Sequence, residues 1–71
     1  MAFEVKAPMA GKFVEYKVNV GEQVNEKDLV AILEAMKMYV KVFAPKSGVV
    51  TELMSKPGDV VDKSTVLLTL E

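Results

Sequence analysis

Short apolar runs alternate with polar, turn-forming segments along the whole chain. The runs are rich in β-branched and aromatic residues, which are typical of strands, and glycine or proline borders several of them. Strands are therefore predicted in six segments, residues 3–7, 13–18, 29–34, 39–44, 49–53 and 66–70. Residues 56–59 are predicted to form a turn, because Pro57 fixes φ and Gly58 accepts a positive φ. Short strands with frequent turns predict an all-β sandwich or flattened barrel.

The two halves of the chain align without gaps at a constant offset of 37 residues. Several matches are prolines and glycines, where the backbone is most restricted, so chance is a poor explanation. The matches are Ala7-Pro8 with Ala44-Pro45, Gly11 with Gly48, Gly21 with Gly58, Glu22 with Asp59, Val24 with Val61, and Leu33-Glu34 with Leu70-Glu71. Residues 7–34 and 44–71 are predicted to be an internal repeat within one domain, residues 1–71. Since so short a repeat cannot bury its apolar face alone, we expect the copies to pack face to face about a pseudo-two-fold axis.

One segment also fits a helix. Its apolar residues have the spacing of an amphipathic helix, and residues 34–37 are strong helix formers. The apolar positions are Leu29, Ile32, Leu33, Met36, Val40 and Phe43. The strand prediction is preferred because residues 66–71, which match residues 29–34 in the repeat, are β-rich and too short for a helix.

Residues 29–43 form a consistent hairpin if the chain folds back at Met36-Lys37. Strand side chains alternate between faces, so one face then carries only apolar residues and the other is mixed. The apolar face consists of Ala31, Leu33, Ala35, Met38, Val40 and Val42, and the mixed face of Ile32, Glu34, Tyr39, Lys41 and Phe43. Folding at Lys37-Met38 gives the same faces and places Glu34 opposite Lys41, so the pattern leaves the register open. Both registers place Lys37 at the tip.

The residues at this tip are unsuited to a tight turn. Two-residue hairpin loops favour Asn-Gly or Gly-Gly, because a type I′ turn needs a positive φ at both positions. Met and Lys resist that conformation by about 1–2 kcal/mol each. Broken local rules are typical of positions that serve function, which marks Met36 and Lys37 as candidate site residues. The alternative is a looser loop in which Met36 and Met38 contact the core.

Composition excludes several classes of function. The chain of 71 residues has a net charge of −1 and no His, Cys or Trp. Ser-His-Asp and Cys-His catalysis and zinc sites built from His or Cys are therefore excluded, and no catalytic residue or metal site is predicted. No basic stripe suits nucleic acid, and no apolar run is long enough for direct membrane insertion. With no signal-peptide-like run near the N-terminus, the expected location is cytoplasmic.

The segment Glu34-Ala35-Met36-Lys37-Met38 resembles the attachment motif of biotin carboxyl carrier proteins, whose signature is Ala-Met-Lys-Met. Further similarity extends from about residue 5 to residue 70. It lies in Ala7-Pro8-Met9-Ala10-Gly11, Val20-Gly21-Glu22-Gln23-Val24, Ala44-Pro45-Lys46-Ser47-Gly48 and Pro57-Gly58-Asp59-Val60-Val61.

The resemblance implies the biotinyl/lipoyl-like fold, a flattened β-barrel of two four-stranded antiparallel sheets with pseudo-two-fold symmetry. It implies covalent biotin on Lys37, with Met36 and Met38 recognised by a biotin protein ligase and with Glu34 and Ala35 as motif flanks. It implies a carrier, not an enzyme, that shuttles carboxyl groups between biotin carboxylase and carboxyltransferase or decarboxylase active sites. Some carriers from acetyl-CoA carboxylases have a short insertion in the first half, called a "thumb". Because the halves of this chain align without a gap, no such insertion is expected.

Two other functions share this fold. A lipoyl carrier usually has an acidic residue before the lysine and alanine after it, whereas here methionine stands on both sides of Lys37. A lipoyl-like structural module would carry no modified lysine and would not need a Met-Lys-Met tip. Neither the acyl acceptor nor the parent enzyme follows from these residues.

Overall fold

The computed structural model describes residues 2–71 as an all-β protein. Its eight strands are β1 Phe3–Lys6, β2 Gly11–Tyr16, β3 Gln23–Val24, β4 Leu29–Ala35, β5 Met38–Phe43, β6 Gly48–Leu53, β7 Val60–Val61 and β8 Val66–Leu70. The six strands predicted from the apolar runs are confirmed, with ends that differ by at most two residues. The pattern missed β3 and β7, because two-residue strands inside turn-rich segments are too short to show an alternation.

The helical alternative for residues 29–43 is wrong. These residues form β4 and β5, which pair antiparallel through six Cα register pairs from Leu29↔Phe43 to Ala35↔Met38. A helix would have turned Met36 and Phe43 toward the core, but their exposed fractions are 88% and 52%. Packing of the strand face has overridden the local helix propensity.

The eight strands form two four-stranded sheets, with the orders β1-β8-β6-β3 and β5-β4-β2-β7. Every strand pairing within them is antiparallel. An offset of 37 residues converts each strand of one sheet into a strand of the other, so the pseudo-two-fold operation exchanges the sheets. Each half of the chain contributes two strands to each sheet. The halves are therefore interleaved, which differs from the expected face-to-face packing of two separate copies.

The buried core shows the same offset of 37 residues between the two halves of the chain. Residues 2–71 include fifteen buried apolar residues, and all but Val18 pair with another buried residue 37 positions away. The pairs are Val5 and Val42, Ala7 and Ala44, Phe13 and Val50, Val24 and Val61, Val30 and Leu67, Ala31 and Leu68, and Leu33 and Leu70. Neither half holds a complete set of core contacts, so neither is expected to fold alone.

Backbone hydrogen bonds also join each turn to the other half. The Gly21 N–H donates to the carbonyl oxygen of Val50 at 2.7 Å, and the Gly58 N–H donates to that of Phe13 at 2.8 Å. Both glycines have a positive φ, 91° at Gly21 and 95° at Gly58. The sequence match at these positions thus reflects a backbone conformation that non-glycine residues adopt at a cost.

Tyr16 makes contacts that the pseudo-symmetry does not reproduce, since the residue 37 positions later is Leu53. Its hydroxyl donates to the carbonyl oxygen of Leu67 in the opposite sheet and accepts the Ser55 N–H at 2.8 Å. Its ring lies 4.4 Å from that of Phe13, centroid to centroid. The Tyr16 hydroxyl therefore links the two sheets through its bond to Leu67, while the ring of Tyr16 packs against a neighbour within β2.

Gly11 allows β2 to lie close to the end of β4, where the hairpin between β4 and β5 begins. A Cβ at Gly11 would lie 2.6 Å from the carbonyl oxygen of Glu34, and one at Gly48 would lie 3.2 Å from that of Glu71. The first distance is far below van der Waals contact and the second is only tight. The sequence match of these glycines therefore reflects close strand packing.

Gly11→Ala is expected to lower the free energy of unfolding by about 1–3 kcal/mol, because β2 must move away from β4 to accommodate the methyl group. Gly48→Ala is the matched control at the equivalent position and should cost clearly less. Urea denaturation of the three proteins measures the difference. Equal losses for the two variants would show that close approach at Gly11 is not limiting.

Candidate functional site

The hairpin that connects the two halves of the chain ends in a two-residue turn. Ala35 pairs with Met38 and Glu34 with Tyr39, which leaves only Met36 and Lys37 in the loop. The φ angles of Met36 and Lys37 are 53° and 64°. Both lie in the left-handed region, as a type I′ turn requires. The register with the fold at Met36-Lys37 is therefore present, and the looser loop is excluded.

The ladder between β4 and β5 holds this unfavourable turn in place. Ala31 and Leu33 are completely buried in β4, and Val42 in β5 is 4% exposed. Each buried aliphatic side chain stabilises by about 1.5–3 kcal/mol, so Leu33 and Val42 together outweigh a cost of about 1–2 kcal/mol at each of the two left-handed residues. The tip is therefore kept tight by packing deeper in the hairpin and not by its own residues.

The predicted division into two faces is confirmed along most of the hairpin. Glu34, Tyr39, Lys41 and Phe43 on the mixed face are exposed, whereas the apolar face lies against the core. The apolar face departs from this pattern at its end, where Met38 is 69% exposed. The core ends before the hairpin does, so Met38 is available for contact with another molecule.

Lys37 is exposed at the tip of this hairpin. Within residues 2–71 the only ion pair within 4.0 Å joins Lys17 to Glu15, at 3.3 Å. The ammonium of Lys37 is thus not engaged by a carboxylate of the described chain. Modification that removes its charge would break no ion pair among residues 2–71.

The neighbours of the tip come from distant parts of the chain. Cα register pairs place Tyr39, Glu34, Lys12 and Val60 in one row across β5, β4, β2 and β7. Val60 and Tyr39 are 83% and 71% exposed, and Met36 is 88% exposed. The five residues of the predicted motif are therefore together at the hairpin end, joined by Lys12 and Val60.

Sequence reasoning missed Lys12 and Val60 as neighbours of this site. The repeat contained a signal for Val60, because the residue 37 positions earlier is Gln23. An exposed valine at a position where the matching half has a polar residue is the kind of difference that marks a functional end. No comparable signal in the sequence marks Lys12.

Two negative findings describe residues 2–71. They contain no group of three or more His, Cys, Asp or Glu residues placed to hold a metal ion. They also contain no helix long and apolar enough to cross a membrane.

The comparisons with known proteins agree with this geometry. The family model described as "Biotin-requiring enzyme" matches residues 3–70. A biotin/lipoyl attachment protein of Bacillus subtilis is 42% identical over 66 residues, which cover 93% of this chain and 90% of that protein. Pyruvate carboxylase of Aspergillus niger is 48% identical over 59 residues, which cover 83% of this chain but only 5% of the enzyme.

A solved structure shows the same fold. The crystal structure of Kluyveromyces lactis urea carboxylase superimposes with a TM-score of 0.92 and 32% identity, covering all of this chain and 6% of that one. The chain thus spans nearly the whole Bacillus relative and a small part of each carboxylase. By fold and sequence, the chain belongs to the biotin-requiring enzyme family of biotin/lipoyl attachment domains.

Proposed function

We propose that residues 1–71 form a biotin carboxyl carrier domain and that Lys37 is the residue that carries biotin. The observation that supports this most directly is the position of Lys37. It is exposed, makes no ion pair within the described residues and occupies a two-residue turn whose backbone conformation is unfavourable for lysine. The turn presents the amine at the end of the molecule, where a second protein can approach it.

The residues around Lys37 fit a covalently bound biotin. Attachment needs an amine that reaches another protein's active site, and both flanking methionines are exposed enough to be contacted at the same time. Methionine is flexible and polarizable, so it suits a surface that several partners must bind. Lys27 offers an internal comparison, since it is also exposed with a φ of 75° but lies between Glu26 and Asp28.

Attachment itself is proposed to be carried out by a biotin protein ligase that supplies biotinyl-adenylate. The ammonium of Lys37 first loses a proton, and Nζ then attacks the biotinyl carboxyl carbon. An amide bond forms, the bond from that carbon to the adenylate oxygen breaks, and AMP leaves while the nitrogen releases a second proton. Because the reaction consumes the positive charge, it is favoured by the lack of an ion pair between Lys37 and any carboxylate of residues 2–71.

After attachment, the role of this chain is to position the biotinyl group and to deliver it to the partner enzymes. Biotin supplies a ureido group that accepts and releases a carboxyl unit. The fold contributes a narrow end with a long side chain, which can enter the active sites of a biotin carboxylase and a carboxyltransferase. Tethering replaces a bimolecular encounter with an intramolecular one, at an effective concentration in the millimolar range for short flexible links. The catalytic groups belong to those partner enzymes.

The alternatives fit the tip less well. A lipoyl carrier usually places an acidic residue directly before the lysine and alanine after it, whereas Met36 and Met38 flank Lys37 here. A purely structural module gives no reason for a methionine that is 88% exposed in a strained turn.

The cytoplasm remains the predicted location.

Lys37→Arg is expected to abolish biotinylation, because a guanidinium cannot replace the amine as nucleophile. The wild-type chain coexpressed with a biotin protein ligase should gain one biotinyl increment in intact mass, and the Lys37→Arg variant none. Lys27→Arg is the control and should be modified as efficiently as the wild type. A wild-type chain that stays unmodified, or a modified Lys37→Arg variant, would contradict the assignment.

The double variant Met36→Asp with Met38→Ala should be biotinylated at least ten-fold more slowly. Both methionines are exposed, so the change removes surface for the ligase without creating a cavity in the core. Biotin incorporation over time measures the rate, and circular dichroism checks that the fold is retained. The methionines are not recognition residues if the rate is unchanged.

Met36→Asn should raise the free energy of unfolding by up to about 1 kcal/mol, since Asn tolerates the left-handed conformation better than Met. For a domain of this size such a gain corresponds to a rise in Tm of about 4–8 °C. Met38→Asn is the control, because Met38 is a strand residue with no such strain, and it should give no gain. A Met36→Asn variant no more stable than the wild type would show that the turn stores no strain.

A further inference from the structure

An open depression of about 520 Å³ lies beside the hairpin tip, between Lys37 and β7. Its walls include Gly11, Lys12, Glu34, Lys37 and Val60. Because the depression is wide open to solvent, its volume is not that of an enclosed small-molecule pocket. Since Lys37 is itself part of the wall, a group attached to Nζ can fold back over it.

Val60 lines the depression together with the apolar residues Ala10, Ala35 and Met36, and the packing of the domain does not explain why Val60 is exposed there. Val60 is 83% exposed, whereas the next residue, Val61, is 2% exposed and completes the core. The symmetry-related residue at the other end of the molecule is Gln23, in the equivalent two-residue strand β3. The backbone has the same course at β3 and at β7, so an apolar side chain at this position is particular to the end that carries the hairpin tip.

The polar side of the depression is formed by Lys12 and Glu34. They are Cα register partners on β2 and β4, and both are exposed. They are not an ion pair within 4.0 Å, since Lys17–Glu15 is the only such pair in residues 2–71. The carboxylate can therefore accept hydrogen bonds from another group, and the ammonium can donate them.

We propose that this depression is a resting site for the biotinyl group carried by Lys37. The proposal builds on Lys37 as the attachment residue. The ureido ring has N–H donors that suit the Glu34 carboxylate and a carbonyl oxygen that suits the Lys12 ammonium. The apolar part of the bicyclic ring suits the side chain of Val60. Lys12, Glu34 and Val60 thus offer partners for both the polar and the apolar parts of the biotin ring system.

The tether makes such a shallow site sufficient. A free ligand would need an enclosed pocket to bind here, but the attached group is present at a millimolar effective concentration. A site with a Kd of about 1 mM would then be close to half occupied. The docked form protects the apolar ring from water, and it opens readily when a partner enzyme binds the ring more tightly.

The test uses the domain labelled with ¹³C and ¹⁵N and biotinylated with unlabelled biotin, with full modification confirmed by intact mass. Isotope-filtered NOE spectra should show contacts between the biotin ring protons and the Val60 methyl groups. In Val60→Gln, which installs the residue of the symmetry-related position, the remaining ring contacts to Lys12 and Glu34 should weaken by about half or more. Gln23→Val is the matched control and should leave all of them unchanged.

A second readout is the association rate with streptavidin. If the docked form is half populated, freeing the ring in Val60→Gln should raise the rate about two-fold, whereas Gln23→Val should not change it. A fully biotinylated wild-type domain without NOEs to Val60, and with equal streptavidin rates in all variants, would overturn the resting site but leave Lys37 as the attachment residue. Failure to biotinylate the wild type would instead overturn the proposed function.

Discussion

The main constraint on this molecule is that neither half of the chain can bury its own apolar surface. Each half contributes two strands to each sheet, and the core is built from pairs of residues, one from each half. A domain of this size has little surface to bury, so each half must contribute strands to both layers. Interleaving also determines where the connection between halves must be. The chain passes from one half to the other through the β4–β5 hairpin, which projects at one end of the barrel.

In that hairpin, one set of residues provides stability and another presents the lysine to other molecules. Buried residues such as Leu33 and Val42 hold the ladder together, while Met36 and Lys37 adopt positive φ angles that oppose it. A longer loop would relieve the strain but would allow the lysine to move among many orientations. A two-residue turn fixes the backbone and leaves the freedom in the side chain. Such a division suits a carrier, because the reactive end must be mobile whereas its point of attachment must be recognisable.

The pseudo-symmetry provides an internal reference for function. Where both halves agree, as at Gly21 and Gly58, the reason is backbone geometry. Where they differ, the difference is either a structural addition or a feature of one end. Tyr16 is of the first kind, since its hydroxyl links the sheets. Val60 is of the second kind, because it is exposed beside the tip where its counterpart Gln23 is polar.

Local patterns along the chain were enough to predict the strand character of the six long apolar runs, the repeat at an offset of 37 residues and the location of Lys37 at a hairpin tip. Those features depend on local alternation and on backbone restrictions at Gly and Pro, which single residues encode. Tertiary structure decided the hairpin register, the existence of β3 and β7, the interleaving of the halves and the exposure of Met38. Each of these depends on which distant strands lie side by side. Lys12 and Val60 were missed for the same reason, because only sheet pairing brings them from separate halves of the chain to a place beside the hairpin tip.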